Sequence, residues 1–167
     1  MELGVIISFD ERLEASLAKL AEMGFTSCQL KCGQTETYTP ENAEWIKSAL
    51  AKYGIRLSTL WCGWSGPAVW NFTEGPVTLG IVPEAYRELR KQELLLGSDF
   101  GAMLGVKQMA THAGFLPEDP NDPHYPAIVE VLREIALRCK ENGQRFLFET
   151  GQETPTTLIR EIGRAHV

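Results

Sequence analysis

Met23-Gly24-Phe25, Tyr53-Gly54-Ile55, Leu104-Gly105-Val106 and Asn142-Gly143-Gln144 write one phrase four times: the end of an amphipathic helix, a glycine, and the start of an apolar run. Glycine at a helix exit takes the left-handed conformation that turns the chain back into a strand. Working outward, each phrase is preceded by apolar residues at helical spacing. These are Leu13, Leu17, Leu20 and Ala21; then Ala43, Ile46, Ala49, Leu50 and Tyr53; then Tyr86, Leu89, Leu94, Phe100 and Leu104; then Ile128, Leu132, Ile135 and Cys139. Asp10, Thr39-Pro40 and Asp122-Pro123 mark helix starts. Each phrase is followed by a short apolar run, ending near Leu30, Cys62, Ala110 and Phe148. Leu3 to Ile7 is a fifth run, at the front, and Thr154-Pro155 opens a last helix carrying Leu158 and Ile162.

Strands alternating with helices specify βαβ units and a parallel sheet. The chain therefore reads as α/β, five β/α units in one continuous domain, with strands apolar on both faces. Two architectures accommodate five units: a doubly wound open sheet, or the N-terminal part of an eight-fold barrel. An open-sheet nucleotide binder carries a glycine-rich phosphate loop after its first strand. Here that strand leads into Ser8-Phe9-Asp10-Glu11, and no such motif occurs elsewhere. This weakens a nucleotide reading and leaves the open sheet standing. The length of 167 residues exceeds one average domain, yet falls short of the roughly 250 residues of a closed (β/α)8 barrel.

Apolar residues make up 44% and charged residues 23%, a globular composition, and the net charge is −6. That charge argues against nucleic acid as a partner. The longest apolar runs are too short to cross a membrane, and the N-terminus lacks the basic region of a signal peptide. A cytoplasmic protein is expected. Cys28, Cys32, Cys62 and Cys139 form no CxxC pair and read as ordinary reduced thiols.

In both architectures chemistry collects at the carboxyl ends of strands. Those positions hold Ser8 and Asp10, Lys31, the loop Trp61 to Pro67 with Trp70, the run Thr111 to Phe115, and the run Glu149 to Thr154. Glu149 ends an apolar strand in a carboxylate, which suits a metal or a proton-transfer role and otherwise a salt bridge or helix cap. His112 closes the neighbouring strand in the same way. Glu153 divides between a capping residue and a functional one. The tryptophan loop is either a plug over the barrel mouth or a wall for a sugar ring. Trp45, inside a helix, reads as packing, and His124 as helix-start surface.

The runs Glu149 to Pro155, Thr111 to Phe115 with Pro117, and Trp70 to Phe72 with Gly75-Pro76 resemble the sugar phosphate isomerase/epimerase family, the xylose isomerase-like barrels that include the AP endonuclease 2 type. The resemblance covers Met1 to about Arg160. It implies an incomplete (β/α)8 barrel and a divalent metal, Mn2+ or Mg2+, bound at a glutamate on strand five. Glu149 matches that glutamate; an aspartate, a histidine and a second glutamate are expected beyond Val167. The implied reaction is proton transfer α to a carbonyl through an enediolate, on a sugar or sugar phosphate, with Glu149 as catalytic residue and metal ligand. His112, Glu153, Trp61 and Phe115 are then expected to bind substrate. Two other readings share the fold: a metal-dependent phosphoesterase or endonuclease, and a non-catalytic sugar-binding barrel.

Residues 161–167, Glu-Ile-Gly-Arg-Ala-His-Val, resemble the translation of a common sequencing adapter, GAG ATC GGA AGA GCA CAC GTC. Residues 1–160 are therefore expected to be a partial barrel and 161–167 a non-native tail, so that His166 is not a ligand. Five units leave the first and fifth strands with open edges, which predicts an inactive, self-associating fragment. The full-length protein is expected to be a homo-oligomer.

Overall fold

The computed structural model describes residues 3–149 and 151–165. Five strands, β1 (Gly4–Ser8), β2 (Ser27–Cys32), β3 (Arg56–Cys62), β4 (Gln108–His112) and β5 (Arg145–Glu149), alternate with helices α1 (Leu13–Glu22), α2 (Pro40–Tyr53), α3 (Gly75–Thr78), α4 (Glu84–Leu104), α5 (Tyr125–Glu141) and α6 (Pro155–Ala165). Gly24, Gly54, Gly105 and Gly143 all have positive φ, so the four repeated phrases do turn helices into strands.

The strands pair in parallel in the order β1-β2-β3-β4-β5. A doubly wound sheet reverses direction at a switch point and carries helices on both faces. Here every crossover moves one strand along in the same sense, as in a barrel. The open-sheet alternative falls, and an incomplete (β/α)8 barrel remains.

Only one face of the sheet is apolar, which corrects the expectation of strands apolar on both sides. Cys28, Leu30, Cys32, Leu60, Cys62 and Met109 pack with Leu13, Leu17, Ile46, Leu94, Phe100 and Ile135 from the helices. The opposite face, which would line a barrel, is largely polar. Strand register arranges it in rows, because paired residues of parallel strands point the same way. One row runs Ile6, Gln29, Thr59, Gln108, Arg145; the next runs Ser8, Lys31, Trp61, Ala110, Leu147; above it stand His112 and Glu149. Among the described residues β1 and β5 have one strand neighbour each. Ile6, on the inward face of β1, is 55% exposed.

Two local expectations change. Asp10 does not cap α1: its carboxylate accepts the Arg12 N–H (2.8 Å) and closes a turn one step earlier. The β3–α4 connection contains the short helix α3, which no periodicity marked. Thr39 does cap α2, accepting from Asn42 N–H at 3.2 Å. All four cysteines are free and buried, and burial pushes Cys28 and Cys139 up to about 11 and Cys32 to about 12. No helix among the described residues is long and apolar enough to cross a membrane.

α6 continues through Arg160 to Ala165; His166 lies outside the described residues. Glu161 on this helix is fully buried, and neither carboxylate oxygen has a hydrogen-bond partner of good geometry among the described residues. Burial raises its pKa above the usual 4.5, against the pull of the Tyr125 hydroxyl and of Arg160 and Arg164. A raised folded-state pKa gives stability that is present below the unfolded value and lost as pH rises through the folded one. Glu161→Leu should therefore stabilise the chain at pH 7 by about 1–3 kcal/mol. The gain should shrink as pH falls below about 4.5, as read from urea midpoints at both pH values.

Candidate active site

Glu149 ends β5 exposed on the open side of the sheet, and its Oε2 accepts the Trp61 indole N–H at 2.6 Å. Trp61 stands on β3, two strands away, and reaches across β4 because its register partner there is Ala110. A larger residue at 110 would fill the path. The indole fixes the carboxylate's orientation through Oε2, and Oε1 has no hydrogen-bond partner among the described residues. Lys31 on β2 lies over the other part of the same ring, with Nζ 5.1 Å from its centroid. Lys31, Trp61 and Glu149 thus form one continuous floor across the strand ends.

His112 pairs in register with Glu149 and is only 3% exposed. Its Nδ1 accepts the Gly114 backbone N–H at 3.1 Å. With Nδ1 accepting, Nε2 carries the ring proton, and that atom is buried without a hydrogen-bond partner among the described residues. Gly151 passes directly over it: a β carbon there would clash with Nε2. Gly151→Ala should consequently push His112 off Gly114 and destabilise the chain by about 1–3 kcal/mol. The checks are urea denaturation and the Gly114 amide resonance; an unmoved resonance would contradict the packing.

The tryptophan loop closes over His112. Trp70 stands edge-on to the imidazole (5.0 Å), Trp64 stacks on Trp70 (6.4 Å), and the Trp64 indole N–H donates to the His112 carbonyl (3.4 Å). What seats this loop is Arg90 of α4, fully buried, which donates to four carbonyls: Ser65 (2.9 Å), Pro67 (2.9 Å), Thr78 (2.7 Å) and Gly80 (2.6 Å). Trp64 and Tyr86 lie against its guanidinium. Glu93, one turn on, accepts from the Ser65 N–H and hydroxyl.

The structure brings together Glu149, Trp61 and His112 of the expected site residues. Phe115 packs edge-on to Phe72 (6.0 Å) and against Gly75, where a β carbon would come within 2.5 Å of its ring. Glu153 accepts the Gly151 N–H at 3.2 Å, so it ties down the loop that covers His112. The start of α6 is capped by Thr154, which bonds Glu118 of the β4–α5 connection. Arg90, Glu93 and Trp45 were not marked by strand-end position. Their only sequence signal is type: a buried arginine must find acceptors, and a tryptophan on a helix is costly to leave half-exposed. No group of three His, Cys, Asp or Glu that could hold a metal occurs among the described residues.

Residues 17–166 match the family model described as xylose isomerase-like TIM barrel. No curated protein matches. Among solved structures, a xylose isomerase domain protein from Planctomyces limnophilus superposes with a TM-score of 0.90 at 25% identity, covering 99% of this chain and 59% of that one. A Thermus thermophilus protein soaked with zinc chloride gives 0.72 at 19% identity, covering 99% and 63%. The 3-keto-D-glucoside 4-epimerase of E. coli gives 0.68 at 16% identity, covering 99% and 64%. The chain thus spans about three fifths of the length of these structures. A singly wound parallel sheet, polar and aromatic side chains gathered at its carboxyl ends and a family match over most of the chain agree: the chain belongs to the xylose isomerase-like TIM barrel family.

Proposed function

We propose that this chain is part of a metal-dependent sugar or sugar phosphate isomerase or epimerase that moves a proton α to a carbonyl. The observation that carries the reading is the pairing of Glu149 with His112 at adjacent strand ends. Glu149 offers a carboxylate oxygen free to take the proton from carbon. The electron pair then moves onto the carbonyl oxygen, giving an enediolate. The Nε2–H of His112 is covered by Gly151 and reaches such an oxygen only when that turn lifts. Trp61 and the tryptophan loop supply an apolar floor and cover that keep water from the intermediate.

A divalent metal, Mn2+ or Mg2+, supplies polarisation of neighbouring sugar oxygens in such reactions. The described residues do not fit it as a complete site: Glu149 is one carboxylate, without a cluster around it. We assign Glu149 as one ligand of a site completed by residues outside this chain. As it stands, the chain should be inactive and prone to self-association through the open β1 and β5 edges. We also propose that residues 161–167 are a non-native tail.

The phosphoesterase or nuclease reading needs strand-end histidines as metal ligands. His112 argues against it, because the Gly114 N–H occupies Nδ1 and fixes a proton on Nε2, the one atom it could offer a metal. The test is solvent exchange. A chain extended by three further β/α units, given Mn2+ and a panel of ketoses in D2O, should incorporate deuterium at the carbon next to the carbonyl. A metal-loaded protein that exchanges no proton in any of them contradicts the reading.

A further inference from the structure

Two buried polar atoms close to the end of β5 have no hydrogen-bond partner among the described residues: Nε2 of His112 and Oε1 of Gln152. The first is a donor, because Nδ1 accepts from Gly114; the second is an acceptor. One short turn accounts for both. Gly151 passes over the imidazole, where a β carbon would clash with Nε2, and Gln152 is the next residue. A buried polar atom without a partner carries the whole cost of leaving water. Folded proteins keep few such atoms, and two in one turn call for a reason.

The turn lies between two fixed ends. Before it, Glu149 pairs with His112 in the β4–β5 ladder and accepts the Trp61 indole N–H at 2.6 Å. After it, Thr154 donates to the Glu118 carboxylate from its N–H and its hydroxyl, both at 2.9 Å. Arg160 holds Glu118 in turn, donating to its carbonyl at 3.0 Å. Residues 151–153 have one hydrogen bond among the described residues, from the Gly151 N–H to the Glu153 carboxylate at 3.2 Å, and it is exposed. Closed, the turn keeps two buried atoms unpaired and gains one solvent-exposed bond. Lifted, it frees both atoms and loses little.

We propose that Gly151 to Glu153 form a flap that lifts when substrate binds, and that Gln152 is a substrate-binding residue carried on it. The lifted flap uncovers the Nε2–H of His112 beside Glu149 and frees the Gln152 amide to turn toward the sugar. A sugar oxygen accepts from Nε2–H, and a sugar hydroxyl donates to the Gln152 oxygen. The two unpaired atoms select this ligand chemistry, because a hydroxyl can both accept and donate. An ionised group would satisfy His112 but has no proton for the Gln152 oxygen, and an apolar group satisfies neither. Trp70, edge-on to the imidazole, keeps the ring in place as the flap moves. The assignment of Gln152 rests on the sugar reading of the Glu149 site.

The test uses the chain extended by three further β/α units, whose closed sheet has no free strand edge to self-associate. Its first arm needs no sugar. Diethyl pyrocarbonate acylates accessible imidazoles, and mass spectrometry reads the peptides that carry His112 and the exposed His124. Glu153→Ala removes the bond that holds the flap and should speed acylation of His112 about fivefold, with His124 unchanged. A His112 rate that Glu153→Ala leaves as it was overturns the flap. The second arm takes the ketose whose α proton exchanges fastest. Gln152→Leu, at a partly exposed position, should raise its KM about tenfold with kcat nearly kept. One monodeoxy analogue of that ketose should show the same loss in the parent and no further loss in Gln152→Leu. A variant that weakens the ketose and all its deoxy analogues equally, or weakens none, overturns the contact with Gln152. If no ketose exchanges, the isomerase reading has failed its own deuterium test and the Gln152 assignment falls with it, while the His112 rates still decide the flap.

Discussion

Arg90→Met should cost the fold about 4 kcal/mol and release the β3–α4 connection from the strand ends. Methionine keeps much of the apolar stem of arginine but none of its donors. Four carbonyls that Arg90 now satisfies, those of Thr78 and Gly80 in fully buried bonds, would lose their partner. Glu93 would lose the nearby guanidinium and keep only its bonds to Ser65. Arg90→Lys should recover little, because one ammonium cannot reach carbonyls spread around a planar fork. The loss would spread to the active site through a tight crossing. Gly80 has φ +67°, and a β carbon there would run into the Ala113 carbonyl; Gly114 has φ +100°, and a β carbon there would run into the Leu79 carbonyl. The loop thus meets the end of β4 backbone to backbone, with the Ile81 N–H donating to Ala113 at 2.9 Å. Freed of Arg90, the loop would lift Trp64 and Trp70 from His112. Urea denaturation measures the stability loss, and limited proteolysis within residues 63–82 measures the release. A variant as stable and as protease-resistant as the parent would show that the carbonyls do not depend on Arg90.

The helix–glycine–strand phrases are legible because their signals are local. A glycine that must take positive φ and an apolar stripe at helical spacing lie within a few residues of one another. Strand order follows from the barrel reading. The polarity of the inward face does not: Gln29, Lys31, Gln108 and Arg145 alternate with the apolar residues, but short strands of five to seven residues give alternation little room to declare itself. Glu149, His112 and Trp61 are legible as strand-end positions, and register and one indole bond bring them together. Arg90 is not legible. It lies in a stretch of α4 rich in charged residues, where the same letters ordinarily mean a solvated face, and its burial depends on a loop folding back from residues 63–82. Trp45 is hidden for a related reason. Its neighbour Phe9 is thirty-six positions away, so only the packing of the β1–α1 connection on α2 brings the two rings together.

Glu149→Gln, in a chain extended by three further β/α units, should lower kcat by about 10³-fold while leaving the fold intact. The substitution is nearly isosteric, and the amide oxygen can still accept the Trp61 indole N–H now bound at 2.6 Å. Thermal unfolding and the Trp61 indole resonance should therefore change little. What disappears is the negative charge and the basic oxygen proposed to take the proton from carbon. Glu149→Asp tests placement separately. Its carboxylate is drawn back by one methylene, loses the indole, and should keep part of the activity with a raised KM. Trp61→Phe removes the indole donor but spares the carboxylate, so it should cost about tenfold, through orientation alone. The order Gln below Asp below Phe distinguishes a proton-transferring carboxylate from a structural one. For a carboxylate that merely anchors Trp61, Gln should be harmless and Phe as damaging as any change at 149. Normal turnover of Glu149→Gln would remove the residue from the reaction, and with it the reading of the β5 strand end as the place where the proton moves.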